Sequence, residues 1–281
     1  MATQRIIDFL ATRRPDGPCL VLDLDVVADN FRAFERALPG SKIYYAIKAN
    51  PAPEILRMLS KMGSSFDAAS VAEVELAMNA GAPAGRISFG NTIKKERDIA
   101  RAYHLGVRLF AVDCVEEVEK IARVAAGSRV FCRVLTDGEG ADWPLSRKFG
   151  CAPEMAVDVL RRAHALGLDA YGVSFHVGSQ QTDLGAWDRA LSDAKQVFET
   201  LTDAGIALRM VNMGGGFPTR YLKDVPAAEA YGHAIFEALS RHFGNAIPET
   251  IVEPGRGMVG NAGVIKSEVV LVSKKADNDN V

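Results

Sequence analysis

Stretches with apolar residues at helical spacing recur along this chain. Each ends in glycine, and a short run rich in Val, Ile, Phe and Leu follows. Gly63 closes PAPEILRMLSKM, Gly81 closes VAEVELAMNA and Gly106 closes KKERDIARAYHL; Gly127, Gly167 and Gly205 sit in the same way. Glycine just past a helix is the favoured left-handed cap. The apolar runs suit buried parallel strands. Eight such runs are expected as strands, near residues 42–47, 64–67, 86–89, 107–112, 128–135, 170–176, 208–213 and 249–252. Helical patterns separate most neighbours, and another, near 26–38, precedes the first. Ser70 and Glu73 form an S-x-x-E capping box. Pro51, Pro153 and Pro226 stand where first helical turns are expected.

Strict β–α alternation predicts a parallel sheet with helices outside it. Eight repeats predict closure into a (β/α)8 TIM barrel, although an open doubly wound sheet shares the local pattern. Residues 138–150 (GEGADWPLSRKFG) form an expected irregular loop after the fifth strand. The two ends fall outside the repeat. Residues 18–23 and 264–273 read as strands with better alternation, so they are assigned to another sheet. Two strands are not a stable domain alone, so a partner or more chain is expected to cover them.

Composition changes this picture little. The 281 residues are 48% hydrophobic and 24% charged, enough for a large core. A net charge of -2 gives no reason to expect nucleic acid or an anionic membrane as partner. No apolar run approaches the roughly 20 residues of a membrane span, and the N-terminus lacks a signal-peptide layout. Cys19, Cys114, Cys132 and Cys151 form no C-x-x-C pair. Reduced thiols in a cytoplasmic protein are expected, with no metal site.

In a (β/α)8 barrel, chemistry gathers at the C-terminal ends of the strands. Those positions hold Lys48, Asp67, Gly90 with Asn91, Arg133, His176 with Ser179, the Gly214–Gly215–Gly216 run, and Glu253 with Arg256. Lys48, in YYAIKANP, follows a buried strand. A desolvated lysine there becomes a nucleophilic amine; one whose ammonium reaches past the rim is merely solvated. Three glycines after the seventh strand and an arginine after the eighth suit a phosphate, as does the loop position. A bare GGG is also what a flexible turn needs. Glu253 either faces a cofactor ring nitrogen or pairs with Arg256. His176 stacks on a ring, moves a proton or fills the core. His104, His164, His233 and His242 lie in helical patterns and read as surface or packing residues.

YYAIKANP, FDAASVAEVE, SFHVGSQ, NMGGGFP and EPGRG, in this order, resemble the fold-type III pyridoxal phosphate (PLP) decarboxylases, specifically the ornithine/lysine branch. The resemblance runs from about residue 18 to the end. It implies an alanine-racemase-like barrel over 26–257. Residues 1–25 would be a strand segment of a β domain, and 258–281 the incomplete start of that domain. It also implies that Lys48 carries PLP as a Schiff base, that Glu253 meets the ring nitrogen and that His176 stacks on the ring. Ser179, Gly214, Gly215, Gly216 and Arg256 would hold the phosphate. Asp67, Arg133 and Glu73 would line the cofactor side, and Lys148 matches a position that contacts the other subunit.

The implied reaction is L-ornithine to putrescine, with L-lysine to cadaverine next. A meso-diaminopimelate decarboxylase, a non-catalytic PLP-binding barrel and a Schiff-base aldolase without PLP are the rivals. GGGFP favours the ornithine branch over the diaminopimelate enzymes, and Glu253 argues against the non-catalytic barrel. Intact relatives are homodimers whose further β domain donates a Cys-Asp pair and a substrate-reading acid. Neither is present here, so the chain is expected to be truncated and poorly active.

Overall fold

The computed structural model describes residues 2–13, 16–145 and 148–274. The chain runs α1 (Gln4–Arg13), β1 (Cys19–Leu22), α2 (Leu24–Ala37), β2 (Lys42–Ala46), α3 (Pro53–Lys61), β3 (Ser65–Ala68), α4 (Val71–Asn79) and β4 (Ile87–Phe89). It continues with α5 (Glu96–His104), β5 (Leu109–Val112), α6 (Val115–Val124), β6 (Arg129–Arg133), β7 (Ala141–Trp143), α7 (Pro153–Ala165), β8 (Asp169–Ser174) and β9 (Ser179–Gln181). Last come α8 (Ala186–Asp203), β10 (Met210–Asn212), α9 (Ala228–Phe243), β11 (Glu249–Val252), α10 (Arg256–Val259) and β12 (Gly263–Lys266).

Eight strands close a parallel barrel in the order β10-β11-β2-β3-β4-β5-β6-β8. Each expected run overlaps one of them, although β3 runs one residue past 64–67 and β8 starts one residue before 170–176. Closure distinguishes the barrel from the open sheet that the same local pattern allowed. The strands read as apolar runs because both of their faces are buried. Outward residues such as Ile43, Tyr45, Phe66, Phe110, Val130 and Val211 pack under the helices. Inward residues Tyr44, Leu109, Ala111, Phe131, Tyr171, Met210 and Ile251 form a separate plug.

Helix starts follow their caps. Ser70 Oγ accepts from Glu73 N at 3.3 Å, and Glu73 Oε2 accepts from Ala69 N at 2.6 Å. The expected box therefore forms, one residue wider than the motif. Of the three prolines expected in first turns, only Pro153 opens a helix. Pro53, not Pro51, opens α3, and α9 starts two residues after Pro226. The pattern placed a proline near each start but not which residue has helical φ.

The terminal strands pair with each other, antiparallel, with Cys19 opposite Lys266 and Leu22 opposite Gly263. The expected strand over 264–273 is shorter. It ends at Lys266, and 267–274 has no regular structure although Val269–Val272 are exposed and apolar. The loop 138–150 is not wholly irregular: β7 pairs antiparallel with β9, Trp143 opposite Ser179. Residues 146–147 of that loop and the tail from 275 lie outside the described residues. Among the described residues, no helix is long and apolar enough to cross a membrane, and no three His, Cys, Asp or Glu are placed to hold a metal ion.

Candidate active site

Side chains on a strand alternate, so residues i and i+2 share a face. That rule builds the site directly on the barrel plug. Phe131 is followed two positions later by Arg133, Met210 by Asn212 and Ile251 by Glu253. Tyr44 is followed in the same way by Ala46, which lines the cavity above. The plug fills the barrel, and on these four strands the next inward residue stands on it.

A cavity of ≈ 530 Å³ opens there. Lys48, Arg133, His176, Ser179, Gly215, Gly216, Glu253 and Arg256 all line it. Asp67 and Gly214, also expected in the site, do not. Asp67 lies buried beneath Lys48, its Oδ2 3.9 Å from Lys48 Nζ. Gly214 forms the back of the loop at φ +64°, where a Cβ would stand 2.2 Å from Phe175 O. Lys148 lines the cavity too, with Nζ 5.1 Å from the Phe149 ring centre. Glu73 is not in the wall and spends its carboxylate on Ala69 N. His233 and His242 pair with Glu237 and Asp188, away from the cavity.

Of the two readings of Lys48, the structure shows the one that reaches open space rather than the desolvated one. Lys48 sits in the 3-10 turn Ile47–Ala49, and its side chain is 61% exposed to the cavity. The buried partner is Asp67. Burial pushes the Asp67 carboxyl up, while Lys48 and Arg133 pull it down. Gly90 lets this carboxylate fit, since a Cβ there would meet Asp67 Oδ1 at 1.9 Å. Burial also lowers the Arg133 guanidinium, against the carboxylates of Glu253 and Asp67.

Glu253 does not pair with Arg256. Its Oε1 accepts from Asn212 Nδ2 at 2.5 Å. Burial, with Asp67 behind it, pushes the Glu253 carboxyl up to about 7, although Asn212, Lys48 and Arg133 favour the charged form. Asn212, the first residue of NMGGGFP, was missed in the sequence. Its inward register beside Glu253 was the available signal.

His176 is half-buried and neutral. Its Nδ1 accepts from Gly178 N at 3.1 Å, which leaves the proton on Nε2. Burial pushes its pKa down to about 3, helped by the charges of Arg133 and Lys48. The neighbouring Gly215 carries no side chain that would crowd it; a Cβ there would lie 3.3 Å from His176 Nε2 and 2.7 Å from Glu253 O.

The glycine loop is anchored by Phe217, buried between Phe34, Trp187 and Tyr231 at ring distances of 5.0, 5.1 and 5.8 Å. Beside the loop, Arg256 Nη1 donates to Tyr221 Oη at 2.9 Å. Arg256 Nε is buried and has no hydrogen-bond partner among the described residues. An unpaired buried guanidinium donor is costly until an acceptor arrives.

One wall thus offers an open amine, a buried acid whose pKa is raised, a neutral imidazole, and a spare guanidinium donor beside small residues. This donor set fits pyridoxal phosphate: an amine for its aldehyde, an acid for its ring nitrogen and cationic donors for its phosphate.

Comparisons with known proteins agree. The family profile described as pyridoxal-dependent decarboxylase, pyridoxal binding domain, matches residues 24–260. The lysine/ornithine decarboxylase of Selenomonas ruminantium is 36% identical over 95% of this chain and 68% of its own length. Antizyme inhibitor 2 of Xenopus laevis is 34% identical over 99% of this chain and 62% of its own. The lysine/ornithine decarboxylase of Vibrio vulnificus, solved with putrescine, superposes with a TM-score of 0.83 at 32% identity, over 94% of this chain and 70% of that one. The chain thus spans about two thirds of the length of these relatives. Pyridoxal phosphate is the cofactor of this family, which removes the aldolase without PLP from consideration. The chain belongs to the pyridoxal-dependent decarboxylases and carries their pyridoxal binding domain.

Proposed function

We propose that this chain is the cofactor-binding part of a carboxy-lyase for basic amino acids, with L-ornithine to putrescine as its first reaction and L-lysine to cadaverine as its second. The observation that carries the reading is that Lys48 and Glu253 line one cavity, with His176 and Arg256 in the same wall. Bound there, pyridoxal phosphate supplies an electron sink for the electron pair left when the substrate carboxylate departs as CO2.

The protein's own groups have separable tasks. Lys48 binds the aldehyde through its amine. Asp67, 3.9 Å away, sets the charge around that amine. Glu253, held by Asn212, keeps a proton at the ring nitrogen, and its carboxyl near 7 is poised to share one. His176 stays neutral and orients the ring with its face. Ser179, Gly214, Gly215, Gly216 and Arg256 bind the phosphate, and Arg133 balances the acids beneath. Glu253 is the only carboxylate in the described lining. The choice of a diamino substrate therefore rests on the relatives, whose names and bound amines are those of lysine and ornithine decarboxylases. A homodimer in the cytoplasm is part of the same proposal. So is the division of 1–25, 26–257 and 258–281 into a segment of the β domain, which holds helix α1 as well as the expected strand β1, the barrel, and the start of that β domain.

The test is to load the protein with PLP, supply L-ornithine, L-lysine and meso-diaminopimelate in turn, and measure CO2 and amine. The product ratio decides, whatever the rate. Putrescine ahead of cadaverine is the expected result. Turnover of diaminopimelate alone overturns the substrate. Tight PLP binding with no CO2 from any of them, in a protein that also carries the further β domain of its relatives, overturns the enzyme and leaves a non-catalytic PLP barrel.

A further inference from the structure

Arg256 is held from two sides by aromatic residues that no family resemblance placed in the site. Its Nη1 donates to Tyr221 Oη at 2.9 Å. Its guanidinium carbon lies 5.0 Å from the Trp143 ring centre and 6.0 Å from that of Tyr221. Both distances are within cation–π range. Tyr221 lines the cavity and is 55% exposed; Trp143 is 50% exposed. Tyr221 is thus a large aromatic group left open in the cavity wall, and Trp143, outside that wall, is likewise not sunk in a core.

Trp143 does not reach Arg256 by chance of a floppy loop. It belongs to β7, whose ladder with β9 sets it opposite Ser179. The same short ladder therefore fixes Ser179 and Trp143, while Tyr221 comes from the segment just beyond the glycine loop. Arg256, Ser179 and the loop are the groups assigned above to the phosphate. The aromatic pair joins them into one unit.

We infer that Tyr221 and Trp143 are positioning residues that hold Arg256 in a phosphate-ready orientation before the ligand arrives. The inference rests on the PLP reading of the site. A long arginine side chain loses many rotamers when it is fixed, and holding it in advance removes that cost from binding. Tyr221 Oη accepts from Arg256 Nη1, so its part in the site is to hold the guanidinium. The buried Nε, unpaired among the described residues, is the donor that the anion completes.

The experiment compares PLP with pyridoxal, the same aldehyde without the phosphate, by absorbance titration of the full chain. Wild type is set against Y221F, W143L, R256A and the R256A/Y221F pair. The expected result is that Y221F and W143L each weaken PLP about tenfold and leave pyridoxal unchanged. In the R256A background, Y221F is expected to add at most about twofold, because nothing is left to position. Equal loss of PLP and pyridoxal would mean a merely structural role and overturn the inference. So would an undiminished Y221F effect without Arg256, or PLP affinity unchanged in Y221F and W143L. If wild type does not prefer PLP to pyridoxal, or R256A does not reduce that preference, the functional reading itself fails and takes the bracket with it.

Discussion

Asn212 and Glu253, neighbours at the ends of β10 and β11, are joined by a 2.5 Å hydrogen bond from Nδ2 to Oε1. The amide oxygen of the same Asn212 accepts from Gly214 N at 3.0 Å. One side chain thus orients the acid and starts the glycine loop. Asn212 is itself buried, so it has little freedom to do anything else.

Removing that bond is expected to raise the Glu253 pKa further, because Asn212 favours the charged carboxylate. N212A should titrate Glu253 at higher pH by 13C NMR of the carboxyl. Its unfolding free energy should fall by about 1–3 kcal/mol at pH 8. An unchanged titration would show that Asn212 does not govern the acid.

Glu253 and His176 pull stability in opposite directions with pH. The Glu253 pKa is raised from 4.5 in the unfolded chain to about 7 in the fold. Its contribution is present below 4.5 and is lost as pH rises through 7. E253Q should therefore gain stability relative to wild type between pH 5 and pH 8, as read by urea unfolding. A gap that does not grow with pH would contradict the raised acid.

His176 has the reverse sign. Its pKa falls from 6.5 to about 3, so its contribution is present above 6.5 and is lost as pH drops towards 3. Imidazole 15N spectra should show a neutral ring with its proton on Nε2 at pH 5. A doubly protonated ring at that pH would mean that the Gly178 amide is not bonded to Nδ1.

Phe217 ties the phosphate loop to the core through three aromatic contacts. F217A should cost about 3–5 kcal/mol of stability. Through the displaced glycines it should weaken PLP more than pyridoxal. Measuring both dissociation constants beside the urea midpoint separates the loop from the core. Equal loss of the two ligands would assign Phe217 to the core alone.

The barrel was legible because its eight strands are buried on both faces and punctuated by glycine after helices. Leu109–Val112 and Glu249–Val252 could be placed almost to the residue for that reason. The motif glycines and Glu253 were legible because strand ends can be counted. What failed depends on long-range packing. The openness of Lys48 is set by a cavity built from many loops. Asn212 acts on a residue 41 positions away. Trp143 finds its strand only by pairing with β9, and α1 is a short amphipathic helix with one buried residue, Ile6. The strand expected over 264–273 stops early because β1 offers only four partners.

The most direct test of Lys48 is borohydride reduction of the protein mixed with PLP, followed by peptide mapping of the pyridoxyl label. The account predicts a single labelled site at Lys48, lost in K48A, with E253A still labelled. Label on Lys148 or another lysine instead, or no label at all under saturating PLP, would contradict it.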